Sequence, residues 1–199
     1  MTANGENRGA IILAGGQSRR MRRDKALLPI GGQTLIERLT GQLAGHFAEI
    51  LISTQDPALF DFLPFRVVVD EGKGAGPIMG LLSGLKAASY PVNFVIGGDI
   101  PDIDLTFISE LAARAAGSDI VVPVISPGKY EPLFAFYHKN VISHIEDLLR
   151  QGEKQIIKLF ALCRTTYVPF RNSGWYFNLN TPDDYRAYLE KTGLPNTAP

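Results

Sequence analysis

Short apolar runs alternate along the chain with longer segments in which apolar residues recur every three or four positions. The apolar runs predict buried strands, and the periodic segments predict amphipathic helices. The predicted strands cover residues 9–13, 50–53, 66–69, 92–96, 119–123 and 132–137. The predicted helices cover residues 34–46, 77–88, 105–116, 140–151 and 183–191. This order is typical of a mainly parallel sheet with crossover helices, and it leaves open an antiparallel pairing near the end of the chain.

Helices on both faces of such a sheet give a three-layer α/β/α, Rossmann-like fold. The chain has 199 residues, 45% of them apolar, which predicts a single domain over residues 1–199 with a sizeable core. We expect the polar segment 1–8 and the segment 192–199 to form mobile tails.

Composition disfavours several classes of protein. Twenty basic residues balance twenty acidic ones, so no overall field attracts nucleic acid or an anionic membrane. No apolar run approaches the roughly 18 residues of a membrane span, and no apolar signal region begins the sequence. Cys163 is the single cysteine, which excludes an internal disulfide. We therefore expect a cytoplasmic protein without nucleic-acid or membrane partners.

The segment directly after the first predicted strand combines glycines with cations. Leu13 and Ala14 are followed by the adjacent glycines Gly15 and Gly16. Five cations then stand within seven residues: Arg19, Arg20, Arg22, Arg23 and Lys25. Paired glycines let backbone N–H groups approach a phosphate chain, and the cations offset the charge of a triphosphate. The segment thus predicts a phosphate-binding loop, with a solvated basic loop as the alternative.

Its spacing fits neither of two familiar phosphate-binding motifs. The P-loop motif G-x-x-x-x-G-K-[ST] and the dinucleotide motif G-x-G-x-x-G are both absent after the first predicted strand. The sequence therefore disfavours kinase-like and dinucleotide-binding proteins.

Two aspartates stand just beyond predicted strands. Asp70 follows residues 66–69, and Asp99 lies shortly after the apolar strand 92–96. Because the carboxyl ends of parallel strands meet at one edge of a sheet, both carboxylates are expected beside the glycine loop. Mg²⁺ usually binds one or two carboxylates and completes its shell with water and phosphate oxygens. We therefore predict Mg²⁺ at Asp99, with a cap or turn role as the alternative for each aspartate.

Five short motifs occur between about residue 9 and about residue 189: L-A-G-G-x-S-x-R-M, D-K-A-L-L-P, G-P-I-M-G-L-L-S-G-L, G-G-D-I-P and N-L-N-T-P. Together they resemble the motifs of molybdenum cofactor guanylyltransferases. The first motif alone marks only the wider nucleotidyltransferase superfamily, and the second and fifth narrow the match. The resemblance implies a nucleotidyltransferase fold and transfer of GMP from GTP to molybdenum-molybdopterin, with release of pyrophosphate.

The resemblance also implies roles for individual residues. Those implied to line the nucleotide site are Leu13, Ala14, Gly15 and Gly16. By the same resemblance, Lys25 would contact the phosphates, Asp70 would hold the nucleotide, and Asp99 would bind both Mg²⁺ and the nucleotide. Asn178 and Asn180 match paired asparagines that would lie near the pterin or the reacting phosphates. The expected catalytic residues are therefore Lys25, Asp99, Asn178 and Asn180.

Three places depart from the family pattern. Arg22 stands where members commonly have glycine, and either Ser53 or Thr54 stands where they commonly have asparagine. Residues 152–155 read G-E-K-Q, where members often have arginine after a glycine. A cytidylyltransferase for the same cofactor and a sugar-phosphate nucleotidyltransferase stay open as alternatives, as does a non-catalytic nucleotide-binding adaptor. Delivery of the product to a molybdenum-insertion protein or a molybdoenzyme chaperone is also left open.

Overall fold

The structure, a computed structural model, describes residues 8–15, 24–72, 74–171 and 173–195. Within these ranges its strands are β1 Gly9–Leu13, β2 Pro29–Ile30, β3 Gln33–Thr34, β4 Glu49–Thr54, β5 Arg66–Val69, β6 Val92–Gly97, β7 Ile120–Ser126, β8 Lys129–Tyr130, β9 Phe134–His138 and β10 Thr165–Pro169. Its α-helices there are α1 Leu35–Leu43, α2 Pro77–Ala87, α3 Leu105–Ala113, α4 Ile142–Arg150 and α5 Pro182–Thr192. Most of the two predicted tails, residues 1–7 and 196–199, lies outside the described residues.

The main sheet has the strand order β10-β7-β9-β6-β1-β4-β5, with β8 attached to β7. β1 pairs in parallel with β4 and β6, and β4 pairs in parallel with β5. β9 runs antiparallel to both of its neighbours, β6 and β7, which confirms an antiparallel pairing in the second half of the chain. The carboxyl ends of β1, β4, β5 and β6 therefore lie at one edge of the sheet.

Successive side chains of β1 point to opposite faces of the sheet. Ala10 and Ile12 join the hydrophobic cluster formed with α1 and α3, whereas Ile11 and Leu13 join the cluster formed with α2 and α4. All four side chains are buried, as expected for a central parallel strand with helices on both faces. The predicted three-layer α/β/α, Rossmann-like fold with a mainly parallel sheet is confirmed.

Helix ends follow local signals in the sequence. α1 begins with a capping box, in which the Glu37 N–H donates to Thr34 Oγ1 at 3.3 Å and the Thr34 N–H donates to Glu37 Oε2 at 2.7 Å. The helix was predicted to reach residue 46, but it ends at Leu43 because Gly45 adopts a left-handed φ of 78°. The helix predicted over residues 140–151 also differs at its start. Residues 139–141 form a 3-10 turn, and α4 begins only at Ile142.

A third hydrophobic cluster joins segments from the two ends of the chain and was not predicted. It contains the short hairpin β2–β3, the start of α1, the residue between the two asparagines, and α5: Leu28, Ile30, Leu35, Leu179, Tyr185 and Tyr188. The Tyr185 hydroxyl also donates to the Pro29 carbonyl oxygen. This cluster packs the D-K-A-L-L-P segment against the N-L-N-T-P segment.

None of the helices in the described parts of the chain has the length and apolar character that crossing a bilayer demands.

Candidate functional site

A cleft of about 310 Å³ opens at the carboxyl edge of the sheet, between the ends of β1 and β6. Five residues predicted from the sequence line it: Leu13, Ala14, Gly15, Lys25 and Asp99. The two strand ends approach closely because the Gly98 N–H donates to the Leu13 carbonyl oxygen at 3.0 Å. A Cβ at residue 98 would lie only 3.2 Å from that oxygen, so a larger residue would force the two strand ends to shift by a few tenths of an ångström.

Lys25 joins two of the other predicted catalytic residues. Its ammonium lies 3.1 Å from Asp99 Oδ2 and donates to Asn180 Oδ1 at 2.7 Å. The side chains of Lys25 and Asp99 are 18% and 24% exposed, so both reach solvent from within the cleft. Three segments far apart in the sequence thus place a cation, a carboxylate and an amide together.

The position of Lys25 follows from the turn that contains it. Asp24 Oδ1 accepts from the Ala26 N–H at 3.0 Å and caps the 3-10 turn Lys25–Leu27. Ala26 is buried, and Leu28 belongs to the third hydrophobic cluster. Burial is the main cause that raises the pKa of the Asp24 carboxyl. Sequence reasoning did not single out Asp24, although it too lines the cleft.

The two asparagines are held by the residue between them. Leu179 is fully buried, and its N–H donates to the Asp99 carbonyl oxygen at 2.9 Å. The Asn180 N–H donates to the Asn178 carbonyl oxygen at 3.0 Å, which bends the chain in a γ-turn. The Asn180 side chain reaches Lys25, whereas Asn178 Nδ2 donates to the Tyr176 hydroxyl at 3.3 Å.

Asp70 lies beside the glycine loop, apart from the Lys25–Asp99 pair. Its Oδ1 accepts from the Ser53 hydroxyl at 2.6 Å, and a Cβ on Gly15 would lie 3.1 Å from its Oδ2. Burial raises the pKa of the Asp70 carboxyl, and the Ser53 hydrogen bond opposes this shift. Sequence reasoning left Ser53 out, although its place at the end of β4 beside Asp70 is a signal that could have identified it.

The described residues contain no group of three or more His, Cys, Asp or Glu side chains that could hold a metal ion. Two carboxylates, Asp24 and Asp99, line the cleft. Mg²⁺ is often bound by one or two protein carboxylates beside water and phosphate oxygens.

Part of the predicted phosphate loop lies outside the described residues. It comprises Gly16 and the cations Arg19, Arg20, Arg22 and Arg23. Their roles remain predictions from the sequence.

The fold, with a cleft at the strand ends that contains a lysine and an aspartate, is that of a nucleotidyltransferase. The crystal structure of molybdopterin-guanine dinucleotide biosynthesis protein A from Archaeoglobus fulgidus shares the fold with a TM-score of 0.80. The match covers 93% of this chain and 98% of that chain at 24% identity. Residues 10–166 match the model of the MobA-like NTP transferase domain.

Whole-length relatives narrow the class further. A protein from Peptoclostridium acidaminophilum named "Probable molybdenum cofactor guanylyltransferase" is 35% identical, over 92% of this chain and 89% of its own length. The molybdenum cofactor guanylyltransferase of Syntrophotalea carbinolica is 32% identical, over 96% and 95% respectively. This chain belongs to the MobA-like NTP transferase family and, within it, to the molybdenum cofactor guanylyltransferases. The resemblance drawn from the motifs is confirmed.

Proposed function

We propose that this protein transfers GMP from GTP to molybdenum-molybdopterin, forming the guanine dinucleotide cofactor and releasing pyrophosphate. The observation that carries the proposal is the position of Lys25 between Asp99 and Asn180 at the cleft. The names of the whole-length relatives support the choice of nucleotide and of acceptor. We also propose a cytoplasmic setting, consistent with a chain whose single cysteine is unpaired.

The chemistry asks for charge and positioning rather than for a strong base. The acceptor phosphate already carries negative charge and can attack the α-phosphorus in line. Two anions must then approach each other, and the Lys25 ammonium would offset charge on the departing pyrophosphate. Asp99 and Asn180 would hold that ammonium in place before the nucleotide arrives.

Mg²⁺ fits this site through Asp99. The carboxylate is 24% exposed at the cleft and follows the glycine pair at the end of β6. Bound Mg²⁺ would neutralise phosphate charge, and its remaining ligands would be phosphate oxygens and water. Asp70, with Ser53 as its hydrogen-bond partner, would hold the nucleotide on the other side of Gly15.

A direct comparison of nucleotides tests the proposal. GTP, CTP and ATP are supplied in turn with Mg²⁺ and molybdenum-molybdopterin, and pyrophosphate release is measured together with the mass of the dinucleotide product. We expect turnover with GTP and little with CTP or ATP. Reactions without the pterin show how much pyrophosphate comes from simple hydrolysis.

The other outcomes identify the alternatives. Preference for CTP would make the protein a cytidylyltransferase, and turnover with a sugar phosphate in place of the pterin would move it to that class. Nucleotide binding without turnover would favour a non-catalytic adaptor.

A further inference from the structure

Two further polar side chains, Tyr176 and Glu131, lie near Asn178. The sequence analysis did not predict them as site residues. Asn178 Nδ2 donates to the Tyr176 hydroxyl at 3.3 Å. The carboxylate of Glu131, which lies between β8 and β9, is close enough to the Tyr176 hydroxyl to raise the pKa of that hydroxyl. The negative charge of Asp99 also contributes to raising the pKa of both Tyr176 and Glu131. These polar side chains therefore connect the core to the asparagine pair beside the proposed reaction centre.

Aromatic packing fixes the position of the Tyr176 ring. Its centroid lies 5.0 Å from that of Phe170, 5.6 Å from that of Trp175 and 6.1 Å from that of Phe134. Ring contacts of this kind are made equally well by phenylalanine. The hydroxyl is thus not required for the packing, and its polar contacts need a separate explanation.

The position of the hydroxyl proton decides whether Tyr176 donates to or accepts from Asn178. Burial, together with the neighbouring Glu131, raises the pKa of Tyr176 well above its ordinary value, so the hydroxyl keeps its proton. A hydroxyl has a single proton to donate, and the nearby Glu131 carboxylate is the acceptor that fits. Tyr176 can then only accept from Asn178, which requires the amide nitrogen of Asn178 to face the tyrosine.

In this orientation the amide oxygen of Asn178 points away from Tyr176. Asn178 Oδ1 is buried and has no hydrogen-bond partner among the described residues. A buried acceptor without a partner is costly, and a flip of the amide would turn this oxygen toward the Tyr176 hydroxyl. Tyr176 opposes the flip, because its oxygen would then face another acceptor.

We propose that Tyr176 and Glu131 are positioning residues that hold the side-chain amide of Asn178 in one orientation for the transfer reaction. The proposal rests on the proposed function, because a catalytic role for Asn178 comes from the family resemblance that supports that function. Tyr176 acts through Asn178 and does not touch the reacting phosphates. Glu131 acts one step further back, by accepting the tyrosine proton.

A double-mutant cycle tests whether Tyr176 acts through Asn178. GMP transfer is measured for wild type, Tyr176→Phe, Asn178→Ala and the double variant. We expect Tyr176→Phe to lower kcat/KM about tenfold, the factor expected for one hydrogen bond of ordinary strength. In the Asn178→Ala background the same change should have no further effect. Equal effects in both backgrounds, or full activity of Tyr176→Phe, would overturn the proposal.

Control and rescue variants separate positioning from general loss of structure. Tyr130→Phe removes a hydroxyl from a tyrosine that packs on Phe160 and lies outside the cleft lining, and it should leave transfer unchanged. Glu131→Gln keeps an oxygen that accepts the tyrosine proton and should retain most of the activity, whereas Glu131→Leu should lose as much as Tyr176→Phe. Equal loss in both Glu131 variants would contradict the acceptor role.

An NMR measurement tests the positioning without any transfer assay. The side-chain NH₂ signals of Asn178 are assigned as those lost in Asn178→Ala. We expect slow solvent exchange of these protons in wild type and faster exchange in Tyr176→Phe. Exchange that does not differ would refute the proposal. If wild type transfers no GMP at all, the proposed function fails, and the NMR result still decides whether Tyr176 holds the amide.

Discussion

Two clusters built from the same kinds of residue lie at opposite ends of the strands. At the carboxyl ends, Asp99 and Asn180 meet Lys25. At the amino ends of β7 and β10, Asp119 meets Asn140 and Arg164. Each cluster contains an aspartate, an asparagine and a cation from segments distant in the sequence. Composition alone does not distinguish them.

Hydrogen bonding does distinguish them. The carboxylate of Asp119 accepts from the backbone N–H of Arg164 at 2.9 Å, from its guanidinium at 3.1 and 3.3 Å, and from Asn140 Nδ2 at 2.6 Å. Within the described residues, the Asp99 carboxylate accepts from Lys25. Asp119 ties two strands and a turn together, whereas Asp99 retains capacity for a ligand. A cluster of charged side chains indicates a binding site when it lies beside a cleft and its carboxylate can still accept further hydrogen bonds.

The largest effects are expected from removing charge at the cleft. Lys25→Ala and Asp99→Asn should each lower kcat for GMP transfer by about 100-fold or more, because each removes an electrostatic group from the reaction centre. Both side chains are partly exposed, so the fold should persist. Steady-state kinetics with circular dichroism of each variant checks this. Near-normal transfer by either variant would contradict the catalytic role that separates this cluster from the one at Asp119.

Removal of divalent metal should have the next largest effect. EDTA should abolish transfer, and added Mg²⁺ should restore it, because Asp99 is assigned as the carboxylate ligand. The melting temperature should change little, since the described residues hold no larger ligand group. Transfer that survives exhaustive chelation would exclude the metal from Asp99.

A methyl group at residue 98 should disturb the cleft and leave the rest of the sheet intact. In Gly98→Ala, the new Cβ would lie 3.2 Å from Leu13 O and 3.3 Å from Ala14 Cα. We expect transfer to fall about tenfold as the two strand ends separate. Gly41→Ala is the matched control, because its Cβ meets nothing within 4 Å in α1. It should keep full activity and gain up to about 1 kcal/mol of stability. Equal activity of the two variants would contradict this account.

The smallest effect is expected at the saturated cluster. Asp119→Ala should leave transfer unchanged and lower the free energy of unfolding at pH 7 by about 1 kcal/mol. The Arg164 guanidinium holds the pKa of the Asp119 carboxyl far below its usual value, so the ionised form is favoured by folding. Its contribution is therefore present above the unfolded pKa of about 4 and is lost as the pH falls below it.

Urea unfolding of wild type and Asp119→Ala at several pH values measures this dependence. The difference between the two proteins should be constant from pH 7 to about pH 5 and should shrink below about pH 4. A difference that grows in acid would show that the sign is wrong.

Elements with strong apolar signals were predicted well. The strand predicted at residues 9–13 is β1, and the one predicted at residues 92–96 differs from β6 by one residue. β10 was not predicted, because only Val168 of its five residues is buried and an edge strand carries little apolar signal. The hairpin β2–β3 was missed for a similar reason, since each of its strands has two residues.

Individual site residues divide in the same way. Lys25 and Asp99 follow from motifs at strand ends, where the topology of a parallel sheet brings loops together. Ser53 lies at a strand end as well, but its hydrogen-bond partner is distant in the sequence, and Glu131 lies in a short connection outside the motifs. Their roles depend on neighbours that are 17 and 45 residues away in the sequence.

The sequence by itself determined the layered fold, the edge of the sheet that carries the site, and the family. Periodicity and short motifs encode these features, because each depends on residues that are near one another in the chain. Only the tertiary structure decided that Lys25 reaches Asn180, that Asp119 is saturated while Asp99 is not, and that Tyr176 contacts Asn178. These contacts join distant segments, and packing of the whole core sets their distances.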